Sequence, residues 1–182
     1  MMYNNDLSAQ DSADFGLSAA QPIADGMRPQ GVFRMECVGA DGSVKWIDEF
    51  PNIVVTVGKN DMETQYLKGS AYTAAFFMGL KNTGTALAAD TMSSHSSWTE
   101  NVTFSNVTRP AITWGTASAG VIATSAVSFN INGSTTIFGC FITTNSTLSG
   151  TTGTLFSAAD AGASRAMING DTLNVTYTLT LT

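Results

Sequence analysis

From Thr172 to Thr182 the chain alternates without a break: Leu173, Val175, Tyr177, Leu179 and Leu181 stand between Asn174, Thr176, Thr178 and Thr180. A period of two predicts a strand with one apolar face and one polar face. The polar face carries Thr and Asn and no charge, whereas sheets usually carry Lys or Glu where they must not pair with another chain. Gly31–Val38 alternates in the same way, with Phe33, Met35 and Cys37 on one face and Arg34 and Glu36 on the other. Asp41-Gly42 marks a hairpin turn, with type I′ chemistry a candidate. The return strand runs from Ser43 to Phe50, closed by Pro51.

Further apolar runs predict a strand over 52–57, a buried strand over 71–80, and strands near 102–105, 110–115, 121–131 and 135–144. Between them, Asn60 and Glu63 have the spacing of a helix N-cap and its reciprocal partner. Met62, Tyr66 and Leu67 give that short helix an apolar stripe, and Gly69 is placed to cap its C-terminus. Residues 81–100 form a long polar loop. Many short strands and one helix predict a jelly-roll-like β-sandwich over residues 31–182, with a barrel as the alternative. Its expected core includes Phe33, Met35, Trp46, Ile47, Phe76, Met78, Trp114, Phe129, Phe141, Leu173, Val175 and Tyr177.

Residues 1–30 lack either period. Asp6, Asp11, Asp14 and Asp25 are set among Ser, Ala and Gln, and Pro22 and Pro29 interrupt any regularity. Such a segment reads as an extended arm, because ordering it costs about 1–2 kcal/mol per residue. Offsetting that takes more than about 1,000 Å² of apolar contact, which points to the surface of a partner subunit. The alternative is an arm folded back on its own domain. Tyr3, Phe15, Leu17, Ile23 and Met27 are its candidate anchors.

Composition narrows the function. Charged residues make up 12% of the 182, with a net charge of −6, against about 25% in ordinary domains. Residues 101–182 carry only Arg109, Asp160, Arg165 and Asp171. A scattered, minority basic content predicts no nucleic-acid partner. No apolar run approaches the length of a membrane helix, which predicts no membrane partner. The first residues show neither a basic n-region nor an apolar h-region, which predicts no secretory signal. Cys37 and Cys140 fall among apolar positions and read as reduced core thiols, with a single bridge as the alternative.

Candidate chemistry is sparse. His95 is the one histidine, and Asp90, His95 and Glu100 are the residues that a metal or acid–base cluster would draw on. Five-residue spacing in a Ser-rich loop matches no ligand pattern, so a solvated or interface loop is expected there, with no catalytic residue, metal or cofactor. Trp98 and Trp114 could supply a carbohydrate platform, although burial is the commoner fate of Trp.

The run Val44-Lys-Trp-Ile-Asp-Glu-Phe-Pro-Asn-Ile-Val-Val-Thr-Val-Gly58 is followed by Phe76-Phe-Met-Gly-Leu80 and Ala88-Ala-Asp-Thr-Met-Ser-Ser-His-Ser-Ser-Trp-Thr-Glu100. Together with Arg109-Pro-Ala-Ile-Thr-Trp-Gly115 and the terminal Gly-Asp-Thr-Leu-Asn-Val-Thr, it resembles small structural proteins of tailed bacteriophages. Within that set the chain is most similar to head decoration (cement) proteins. The resemblance implies a non-enzymatic virion component at the capsid surface, made in the host bacterial cytoplasm. Its implied partners are the major capsid protein and neighbouring copies of itself. The alternative is a tail, baseplate or receptor-binding module; a secreted carbohydrate-binding sandwich is a third reading.

Overall fold

The computed structural model describes residues 27–68 and 75–182. The arm up to Gly26 and the expected cap at Gly69 lie outside the described residues. The rest forms a mainly β protein with a single helix, and its strands lie in two antiparallel sheets that sandwich a core.

Sheet A holds β1 (Pro29–Val38), β2 (Val44–Pro51), β6 (Val121–Ala123), β7 (Val127–Asn130) and β10 (Thr172–Leu181). Its centre is the antiparallel pair of the first and last strands, in register from Pro29↔Leu181 to Val38↔Thr172. The alternation seen in both sequences is thereby matched residue for residue. Phe33, Met35, Cys37, Leu173, Val175 and Tyr177 all lose their entire contact with solvent. β6 and β7 lie end to end along the other side of β10, so the single strand expected over 121–131 is broken. Thr124 spans the break: its backbone amide donates to the Tyr177 carbonyl, and its hydroxyl accepts from the Tyr177 amide at 3.0 Å.

Sheet B runs β3 (Ile53–Val54), β9 (Leu155–Met167), β8 (Thr135–Thr143), β4 (Phe77–Lys81) and β5 (Glu100–Asn101) in that order. One face packs on sheet A through Met78, Leu80, Ile137, Cys140, Ile142 and Phe156. The other face is covered by the loop between β4 and β5, which lays Ala86, Met92 and Trp98 over Phe141, Leu155 and Ala158. A strand buried on both sides has no reason to alternate, and Ile137-Phe-Gly-Cys-Phe-Ile142 accordingly reads as one apolar run. The loop expected to be solvated or at an interface is largely a cap on this sheet.

Several expectations are corrected. Ile47 is 50% exposed: Trp46 and Phe50 turn inward, so strand geometry sends Ile47 to the outer face, where it pairs with Glu36. The hairpin turn has only Gly42 at positive φ (81°). It is therefore a type I turn closed by a left-handed glycine, where type I′ would need two such residues. The segments 102–105 and 110–115 contribute only isolated bridges at Phe104, Ala111 and Trp114.

The helix, α1 (Thr56–Lys68), begins four residues before the expected cap. Tertiary contacts set its start. The Thr56 amide donates to the Ala88 carbonyl at 2.9 Å, and Gly58 lies so close to β9 that a Cβ would sit 2.2 Å from the Phe156 carbonyl oxygen. Only glycine permits that approach. Cys37 and Cys140 are free, buried thiols, as expected.

Candidate functional site

The residues singled out as candidate chemistry converge only in part. His95, Trp98, Glu100 and Arg109 border one shallow cleft of about 230 Å³, with Ser149 and Gly150 on its far side. Asp90 is not part of that lining. Its carboxylate accepts the Trp98 indole N–H at 2.8 Å and the Leu87 amide at 2.8 Å, which fixes the cap loop. The His95 ring stacks on Trp98 at 4.2 Å, and its Nδ1 lies 2.9 Å from the Thr91 carbonyl.

Glu100 is held in place by Arg109. The guanidinium Nε and Nη2 donate to the two carboxylate oxygens at 2.8 and 2.9 Å, and Ser149 donates its amide to the same carboxylate. Arg109 also donates to the carbonyls of Asn145 and Gly150, and its carbon lies 5.2 Å from the Phe141 ring centroid. The two side chains retain only 1% and 5% of their exposure. Both Glu100 oxygens are thus taken up by three donors from elsewhere in the chain, and the arrangement works as a clip between three loops. Among the described residues, no group of three His, Cys, Asp or Glu is placed to hold a metal ion. Trp98 is buried, and Trp114 is half-buried against Phe76 and Tyr177. Neither offers a flat platform to a sugar.

Arg109 pairs with Glu100, Asp160 with Lys81, Arg165 with Asp48 and Asp171 with Lys45, at distances of 2.7 to 3.0 Å. Every charged side chain of residues 101–182 is thus neutralised by a partner from the first hundred residues. The Lys81 pair crosses a whole strand, because Lys81, Gly139 and Asp160 stand in one row over β4, β8 and β9. Asp171 is nearly inaccessible. Burial opposes its charge, but the Lys45 ammonium and the Ile168 amide outweigh that and hold its pKa below the ordinary carboxylate value.

On the outside of sheet A, the row of β10 is uncharged: Thr176, Thr178 and Thr180 line a depression with Val32, Arg34 and Glu49 of the neighbouring strands, and Ile47 stands exposed on β2. Arg34 is itself paired with Glu36 at 2.9 Å.

A second surface lies where the chain enters the sheet. Arg28 and Thr182 exchange backbone hydrogen bonds, so the first described residues sit against the end of β10. There Met27, Met62, Tyr66, Leu67 and Leu181, with Glu63 as the one charge, line an apolar groove of about 460 Å³. Tyr66 is 88% exposed, Leu67 76% and Met27 67%. The helical stripe read from the sequence is real, but only Met62 contributes to the core. Of the expected arm anchors, Met27 lines this groove on its own domain; Tyr3, Phe15, Leu17 and Ile23 lie outside the described residues.

No helix among the described residues is long and apolar enough to cross a membrane. In comparisons with known proteins, no family model matches the chain and no curated protein matches it in sequence.

Proposed function

We propose that this chain is a non-enzymatic virion structural protein that decorates a bacteriophage capsid and stabilises it by clamping neighbouring major capsid subunits. The observation that carries the reading is the disposition of charge. All four charged residues of the last eighty-odd positions are consumed in internal ion pairs, so the outer row of β10 is threonine and asparagine alone, beside exposed Val32 and Ile47, with Arg34 and Glu49 at its border. A surface of this kind suits repeated contact with protein neighbours, because interface cores are depleted of charge. Threonine can pack its methyl group and still hydrogen-bond across the contact. The side chains that a reaction would recruit are occupied elsewhere: Asp90 holds Trp98 and Glu100 holds Arg109.

The arm supplies the clamp. Some 25 extended residues reach on the order of 80 Å, further than a small domain is wide, so the arm can cross from one capsid subunit to the next. The test is to image particles of the phage that encodes this chain with the subunit labelled. Label over the shell supports the reading; label confined to the tail replaces it with the tail-module alternative.

A further inference from the structure

The groove between α1 and the end of β10 is lined almost wholly by apolar side chains, and three observations bear on what covers it. It is lined by a helical stripe, Met62, Tyr66 and Leu67, whose last two members turn away from the core. It also includes Met27, the first described residue, so the undescribed arm leaves the domain from the groove itself. Beside it, Lys59 is the one cation bordering a smaller depression with Met27, Pro29, Met62 and Glu63.

We infer that the root of the arm docks in this groove on its own domain, with Ile23 as the buried side chain and Asp25 directed at Lys59. Ile23 stands four residues before Met27, so an extended chain places it within about 14 Å of a residue that already lines the groove. A tether this short presents Ile23 at millimolar effective concentration, which a second copy's arm would have to exceed. Pro22 limits the chain to extended conformations immediately upstream, suiting a segment laid along a groove. Asp25 and Lys59 supply opposite charges at one end of it. Docking of the root leaves Tyr3, Phe15 and Leu17 free to extend outward from a fixed point. The inference concerns the chain alone and stands whether or not it binds a capsid, so it and the capsid reading fail separately.

Amide hydrogen exchange on the full-length protein tests it. Ile23→Asp should speed exchange over Tyr66–Lys68 about tenfold, while Ile23→Leu leaves it at the wild-type rate. Both substitutions lie outside the sandwich core, so the fold itself survives. Unchanged exchange in Ile23→Asp overturns the assignment. The double variant Ile23→Cys/Leu67→Cys, oxidised with diamide, separates the two chain connectivities. An intrachain disulfide that forms independently of protein concentration supports docking in cis. Disulfide-linked dimers that increase with concentration overturn it in favour of arm exchange between copies.

Discussion

Truncating Glu100 to Ala probes the reading of the cleft as a clip. The substitution removes both carboxylate oxygens that hold Arg109 at 2.8 and 2.9 Å. The guanidinium keeps its two carbonyl acceptors, Asn145 and Gly150, but its charge is left unpaired at 1% exposure. Breaking a buried pair by removing one partner costs about 3–5 kcal/mol. For a chain of this size each kcal/mol is about 2–4 °C in Tm, so the expected loss lies between about 6 and 20 °C. That is a large share of a typical stability of about 5–15 kcal/mol. Replacing both partners, as Glu100→Ala/Arg109→Met, removes the stranded charge and should recover more than half of the loss. The assay is thermal unfolding followed by circular dichroism, with the single and double variants completing a cycle. A Glu100→Ala variant that melts within about 2 °C of the wild type would show that the pair is solvated, and the cleft would again be open to a chemical role.

Val175 is fully buried between Met35 and Val127, so Val175→Asp should abolish soluble folding; a soluble, cooperatively melting variant would place β10 elsewhere. Gly58→Ala drives a methyl group onto the Phe156 carbonyl and should cost about 1–3 kcal/mol, read as a lowered Tm; an unchanged Tm would mean that α1 does not press on β9. Burial, then the charge of Asp171, lifts the Cys37 thiol from 9.0 to about 11, and burial lifts the Tyr177 hydroxyl from 10.0 to about 12. In both cases the unfolded chain loses its proton first, so stability is intact below pH 9. It falls through pH 9–11 for Cys37 and pH 10–12 for Tyr177, by at most about 1.4 kcal/mol per pH unit for each group. Cys37→Ala should flatten the first part of that decline in a Tm-against-pH series, and a wild-type Tm constant from pH 8 to 11 would refute the burial of both groups.

The parts of the fold that were legible are those with one wet face and one dry face. β1 and β10 alternate because solvent lies on one side of sheet A, and the alternating residues from Phe33 to Cys37 and from Leu173 to Leu179 face the core as expected, while Leu181 turns to the groove beside α1. β9 carried no such signal. Its first five residues, Leu-Phe-Ser-Ala-Ala, are all buried because both faces of sheet B are covered, and the rest is mostly Ala, Gly and Ser with weak strand preference, interrupted by Asp160 and Arg165. The start of α1 was misplaced because the local Asn60 signal lost to the packing of Gly58 on β9. The Arg109–Glu100 clip joins loops through contacts that no short-range spacing encodes. A signal for it did exist: an isolated Arg in a stretch nearly empty of charge has a reason to be there, and buried pairing is the commonest. The groove was half legible, since the Met62, Tyr66 and Leu67 stripe was correctly periodic, but periodicity alone cannot say whether a stripe meets the core or another surface.

The most direct test of the capsid-clamp reading compares full-length protein with a variant lacking residues 2–26, each titrated onto undecorated shells of the encoding phage. The deletion stops before Arg28, whose backbone pairs with Thr182, so the sheet is untouched and the truncated protein should still fold and melt cooperatively. The full-length chain should bind shells and raise their rupture temperature, as a ligand specific for the intact state must, while the truncated chain should bind at least tenfold more weakly. Equal binding by the two proteins would contradict the clamp.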